Sequence, residues 1–379
     1  MKISKLAVLT ALIILVTSCG KKAEQNYTVK EVNGIKVYSN QNEPSDKDLK
    51  VELKEVLKIN GFIEGQPEER NIAMPMAVDA DKEGNIFVLD RKSASVKKFS
   101  KNGEFIKSFG REGTGPGESR EVSAMNIIGD TVVVVDMGGQ KQAKFDLNGA
   151  HITDTTIGGN RTPVFFKPLK DGNSVGVIWY EGMENSEYYV SVSLSIIDDK
   201  FKEIKVLDTQ KRKFVPEKFN IADLIGSYAV SEDKIYINSP SEDKFLVKAY
   251  DFNGNELYNI SKNYRRLLMS AKEVKSFNDG MKKVFGLNLA AVEIAKRSIN
   301  GMEYDKYGRL WVMTSAERNE SNENTFYAEL FKGGVYLNRI EVPQFKGSDY
   351  FDIGRQMYFI GEFIYLLDLE NNEITVYNY

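Results

Sequence analysis

The sequence predicts an all-β fold: a six-bladed β-propeller with N-terminal strand closure and a small helical insertion. Three observations predict it. An apolar strand recurs six times behind a short polar turn, a second series of turns recurs five times between those strands, and one spare alternating segment precedes the first repeat.

In chain order, residues 1–18 read as a secretory signal peptide. Lys2 and Lys5 make a basic start, residues 6–16 an apolar run broken only by Thr10, and Thr17 and Ser18 are small residues ahead of Cys19. The run is about half the length of a bilayer-spanning helix, which favours a cleaved signal over a transmembrane anchor. Residues 15–19 resemble the bacterial lipobox, which implies acylation of Cys19 and cleavage just before it. Several acyl chains hold a protein stably at a membrane, where one chain is marginal. Residues 19–49 are then expected as a polar tether and an N-terminal hairpin, and residues 50–379 as the propeller.

Cys19 is the chain's only cysteine, so no intrachain disulfide can form. His151 is the only histidine, which excludes any zinc site needing two or three imidazoles. The chain carries 51 basic and 54 acidic residues, and loss of Lys2 and Lys5 leaves a net charge of −5. With no basic excess, nucleic acid is not an expected partner.

The six strands fall at residues 85–90, 131–136, 174–179, 234–238, 309–313 and 362–368. Each follows a turn rich in Asp, Gly, Ser or Asn. They are apolar on both sides, as strands buried between stacked sheets must be. The second turn series includes Asn102-Gly103, Asn148-Gly149 and Asn253-Gly254, with members at 198–200 and 332–334. Asn-Gly is the strongest short-range hairpin signal because both central residues of a type I′ turn need positive φ. Two turn series with strands between them make four-stranded meanders, the blades of a propeller. The chain reaches Tyr379 with the sixth blade one strand short, and the alternating segment 51–59 is the expected closing strand, which removes two free sheet edges. A β-solenoid would also repeat, but it would not need its ends paired.

Residues 77–90 and 99–118 together resemble an NHL-type blade. With the lipobox, the chain is similar to the six-bladed β-propeller lipoproteins of Bacteroidota (NHL-like or TolB-like propellers). The resemblance implies the fold and an envelope location, and it carries over no catalytic residues.

Residues 264–298 break the repeat. Ser270 and Glu273 fit a capping box, and Val274, Phe277, Met281, Val284 and Phe285 lie on one helical face. Residues 263–298 hold eight basic and three acidic side chains. A basic docking element or lid is one reading; a helix packed on the propeller with solvated lysines is the plainer one.

Asp79, Asp81 and Glu83 superficially resemble the start of a calcium loop, but equivalent turns recur in the other repeats, so no metal or other cofactor is expected. His151 is expected at the surface of an outer strand. The candidate ligand-binding residues are Arg91, Arg111, Arg161, Trp179, Tyr180, Glu181 and Arg318, all on connections that the repeat register sends to one end of the ring. Arginines and aromatics suit carboxylate, sugar or peptide recognition. The expected function is a non-enzymatic envelope lipoprotein, held through Cys19 at the outer membrane and facing the periplasm, that binds a peptide, protein or glycan. The alternative is a carboxylate- or calcium-dependent hydrolase or lyase in the funnel, and a third reading is a structural subunit docking through the insert.

Overall fold

The computed structural model describes residues 26–158, 161–215, 224–285, 294–317, 326–342, 355–369 and 371–379. The expected signal peptide, most of the expected tether and Cys19 lie outside them. Six four-stranded antiparallel meanders follow one another around a ring. The first blade comprises Pro75–Ala80, Ile86–Asp90, Ser95–Phe99 and Phe105–Phe109. The sixth comprises Arg355–Ile360, Phe363–Asp368 and Glu373–Asn378, and its outer strand is Lys54–Asn60 from the N-terminal side.

That closing strand runs antiparallel to Glu373–Asn378, with Ile59 opposite Ile374 and Leu57 opposite Val376. It begins at Lys54, later than the alternating segment suggests, because Leu49, Val51 and Leu53 pack instead against the core between blades five and six.

The second strand of each blade is near-continuously apolar because both its faces are covered. All five side chains of Ile86–Asp90 are buried. Six apolar clusters lie one between each pair of consecutive blades, the sixth joining blade six back to blade one through Leu367, Val376, Val88 and Phe99. Burying one such side chain contributes roughly 1.5–3 kcal/mol, so ring closure is carried mainly by these interfaces.

The turns are built by aspartate. Asp81 Oδ1 accepts the backbone N–H groups of Glu83 and Asn85, and Gly84 takes φ 83°. Asp146, Asp198, Asp251 and Asp305 repeat the arrangement with the residues two and four places on. The recurrent aspartates are thus occupied by backbone donors.

The hairpin Tyr27–Val32 and Ile35–Asn40 turns at Asn33-Gly34, both with positive φ. It docks on the fourth blade, where Ile35–Asn40 runs parallel to the outer strand Glu256–Lys262 and makes a six-stranded sheet. The chain then crosses the fifth blade. Buried Asn40 donates to Ser261 O and Gly334 O and accepts from Tyr336 N, while Ser45 and Asp46 donate to Tyr336 O and Leu337 O. The N-terminal segment is therefore a strap over three consecutive blades, ending as the outer strand of the sixth.

The insertion forms a helix over Ala271–Phe285, started by the expected capping box: Ser270 N–H donates to Glu273 and Glu273 N–H to Ser270 Oγ. Val274 and Phe277 pack with Met269 and Ile294. The side chains of Met281, Val284 and Phe285 lie outside the description. Lys296, fully buried, ties the helix down through Glu273 and Ala316 O.

Candidate functional site

The antiparallel meander sends the two aspartate-type turn series to one end of the ring. The other end carries the second-to-third-strand connections and the crossings between blades, including the helix. Blade three rises above its neighbours at this loop end. Its second, third and fourth strands, Ser174–Glu184, Glu187–Ile197 and Glu203–Lys213, are each 11 residues long. The inner strand Pro163–Pro168 reaches only as far as Ile178, so Trp179 to Glu184 continue about 20 Å beyond it at 3.3 Å per residue.

The two faces of this projection differ. Trp179, Glu181, Met183 and Tyr188 lie on one face, because Trp179 pairs with Val192, Glu181 with Val190 and Met183 with Tyr188. The Glu181 carboxylate holds both polar ring groups: Trp179 Nε1 donates to one oxygen at 2.6 Å and the Tyr188 hydroxyl to the other. Tyr188 also meets Phe214 edge-on at 5.8 Å, and Met183 stays 63% exposed. On the opposite face the Tyr180 hydroxyl donates to Glu203, Ser195 Oγ donates to the other oxygen of Glu203, and the Arg161 guanidinium lies 5.4 Å over the Tyr180 ring. Burial, reinforced by Glu203, pushes the Tyr180 phenol well above its ordinary range.

The remaining predicted residues are paired locally. Arg91 meets Glu121. Arg111 donates to Glu118 at 2.7 Å, and Glu118 also accepts the N–H groups of Thr114 and Gly115, which holds its carboxyl below the usual range. Arg318 lies outside the described residues. The predicted residues thus form local groups, with Trp179 and Glu181 on one face of the projection and Arg161 and Tyr180 on the other. His151 begins an outer strand, 2.9 Å from Asp154 and edge-on to Phe145.

A second constellation lies on the ring axis. In blades one, two, three and five the inner strand carries a bulge at the same place, and counting past it brings Asp79, Asn126, Lys167 and Glu303 to one register, opposite Phe87, Val133, Val175 and Trp311. Tyr358, opposite Tyr365, is the blade-six equivalent; blade four has Val230 there and contributes Tyr228 from two residues earlier. The side chains lace neighbouring blades. Asp79 accepts from Ile127 N at 2.7 Å, Asn126 donates to Phe166 O at 2.9 Å and Tyr358 donates to Met76 O at 3.0 Å. Lys167 reaches Glu303 across blade four, 2.5 Å away, passing over the Tyr228 ring. All six residues are half-buried, on inner strands that line the ring axis. Burial raises the Asp79 carboxyl to about 6 against two backbone donors that favour its ionised form. Burial also raises Glu303 despite Lys167. Asp79 stands in the sequence as part of a supposed calcium loop; the other five escape a reading by motif and emerge from counting back across each turn. Among the described residues no three His, Cys, Asp or Glu side chains gather as metal ligands.

A family model described as a 6-bladed β-propeller matches residues 36–167. No curated protein matches the chain. Similar solved structures include a protein of Bacteroides fragilis NCTC 9343 described as exported, at 12% identity over 90% of this chain and 98% of that one, with a TM-score of 0.47. Virginiamycin B lyase of Staphylococcus aureus is 12% identical over 86% and 100% of the two chains, TM-score 0.43. A gluconolactonase of Xanthomonas campestris is 11% identical over 81% and 86%, TM-score 0.42. The six sheets and the matching family description agree: this chain is a six-bladed β-propeller.

Proposed function

We propose that the protein is a non-enzymatic lipoprotein of the bacterial cell envelope, of the kind found in Bacteroidota, that binds a peptide, protein or glycan at the loop end of its propeller. The observation that carries the reading is the blade-three projection. Its Trp179 and Tyr188 rings are held by one carboxylate, so they offer a pre-ordered aromatic surface that loses little freedom on binding. Aromatic rings with polar tips suit surfaces where one side is apolar and the other wet. Lipid attachment rests on the signal and lipobox pattern around Cys19, and the periplasm-facing position on the lack of an acidic cluster in residues 20–26. Among the described residues no helix is long and apolar enough to cross a membrane.

The test is a screen of the mature chain against glycan and peptide arrays, repeated with Trp179→Ala and Tyr188→Ala. Hits should weaken at least tenfold in both variants; retention of every hit at wild-type strength rejects the site. For the anchor, Cys19→Ala should move the protein from the membrane fraction to the soluble one. A second reading, a carboxylate-dependent hydrolase or lyase in the channel, is favoured by the raised Asp79 carboxyl, since a group titrating near 6 can exchange protons at neutral pH. Turnover of a glycoside or ester panel that disappears in Asp79→Asn would establish it over the binding reading.

A further inference from the structure

The axial girdle is separate from the loop-end projection, and its chemistry selects a different ligand. Its members come from six inner strands, at one register in five of them, and meet at the axis. Lys167 of blade three meets Glu303 of blade five at 2.5 Å beside the Tyr228 ring of blade four, and Tyr358 of blade six donates to Met76 O of blade one. Several bonding valences remain open after the blades are laced together. Glu303 uses one oxygen on Lys167, and the Lys167 ammonium has further donors. Asn126 spends its amide nitrogen on Phe166 O and keeps its carbonyl oxygen. Tyr228 places its ring against Lys167, and among the described residues its hydroxyl has no hydrogen-bond partner. Asp79 keeps a second lone pair on each oxygen.

This set excludes the simpler ligands. An apolar molecule would strip water from five polar groups without replacing their bonds. A polyanion would meet two carboxylates and one ammonium that is already paired. A bare cation would share the ring with that ammonium. A molecule whose groups each donate and accept, and that carries no net charge, satisfies every open valence at once. Hydroxyl groups do this, and the Tyr228 and Tyr358 rings add walls on which a C–H face can rest. We infer that the channel girdle of Asp79, Asn126, Lys167, Tyr228, Glu303 and Tyr358 is a binding site for a small neutral polyhydroxylated ligand, a monosaccharide or cyclic polyol.

The experiment is ligand-observed NMR on the mature chain with D-glucose, D-galactose, N-acetylglucosamine and myo-inositol, followed by titration of the strongest. At least one should give saturable transfer. Tyr228→Phe removes one hydroxyl and leaves the ring in place, so affinity should fall about 3- to 10-fold, the effect of one hydrogen bond. Glu303→Gln should weaken binding further, and Lys167→Met with Glu303→Met should abolish it; thermal melting confirms that each variant is folded. Trp179→Ala should change nothing, which separates this site from the loop end. Silence from all four probes overturns the inference, as does binding that survives Tyr228→Phe and Glu303→Gln unchanged or that Trp179→Ala removes.

Discussion

Replacing Asp79 by Asn should reverse the stability order of variant and wild type between pH 4 and pH 8. The Asp79 carboxyl titrates at about 6 in the folded protein against an ordinary 3.8. A raised acid binds its proton more tightly folded than unfolded, so stability falls as pH rises between those values. The loss is absent below 3.8 and complete above 6. A difference of roughly two units at 1.36 kcal/mol each makes ionised Asp79 cost about 3 kcal/mol at neutral pH. Asn removes that cost but brings an N–H₂ group to a site where two backbone donors, Ile127 N and Ala80 N, converge. One of them loses its acceptor, a pH-independent penalty of about 1–2 kcal/mol. The variant should therefore be less stable than the wild type at pH 4 and more stable at pH 8, by about 1–2 kcal/mol each way, with the curves crossing near pH 5. Urea unfolding of both proteins across pH 4–8 reads this directly as a reversal in the order of midpoints. Glu303 is unchanged in both proteins, so its own titration largely cancels in the difference. Parallel curves, with no change of order, would refute the claim that the channel holds Asp79 in a costly ionised state.

Three further substitutions probe the frame. Asn40→Ala removes two donors and one acceptor that join blades four and five, and should cost about 2–4 kcal/mol while making the N-terminal hairpin the first site cut in limited proteolysis. Ile59→Ala hollows the closing strand at a position 1% exposed; a loss of about 2–5 kcal/mol is expected, read as a lowered melting temperature. Gly149→Ala should be destabilising out of proportion to one methyl group, because φ is 79° and the new Cβ would stand 2.6 Å from the Phe109 ring; an unchanged melt would mean the turn relaxes freely.

Much of the frame was legible because its determinants are local. Asp-x-x-Gly and Asn-Gly turns write their own geometry into a few residues, and the spare segment before the first repeat announced the closure. What the chain does over long separations was not legible. The parallel docking of Ile35–Asn40 on Glu256–Lys262 leaves no pattern in either strand. The blade-three projection turns at Asn185-Ser186, where both residues take positive φ without a glycine, so no Asn-Gly signal marks it. The girdle is the sharpest case: its residues differ in charge and size, and a common bulge, not a shared residue type, aligns Asp79, Asn126, Lys167 and Glu303. The loop-end arginines illustrate the converse. Arg91 and Arg111 were plausible by type, but a nearby carboxylate answers each charge.

The strap also sets an order of events. Its partners lie far downstream: Asn40 bonds to residues 221 and 294 positions later, and the closing strand waits for Glu373–Asn378. A chain emerging from its N-terminus can assemble the first blades from neighbouring segments, but the segment made first has nothing to bind until the last blades exist. Such distant pairings cost loop entropy before any contact repays it, which slows folding. The oldest part of the chain is thus the last to find its place, and until then the outer edges of blades four and six stand open to any passing strand.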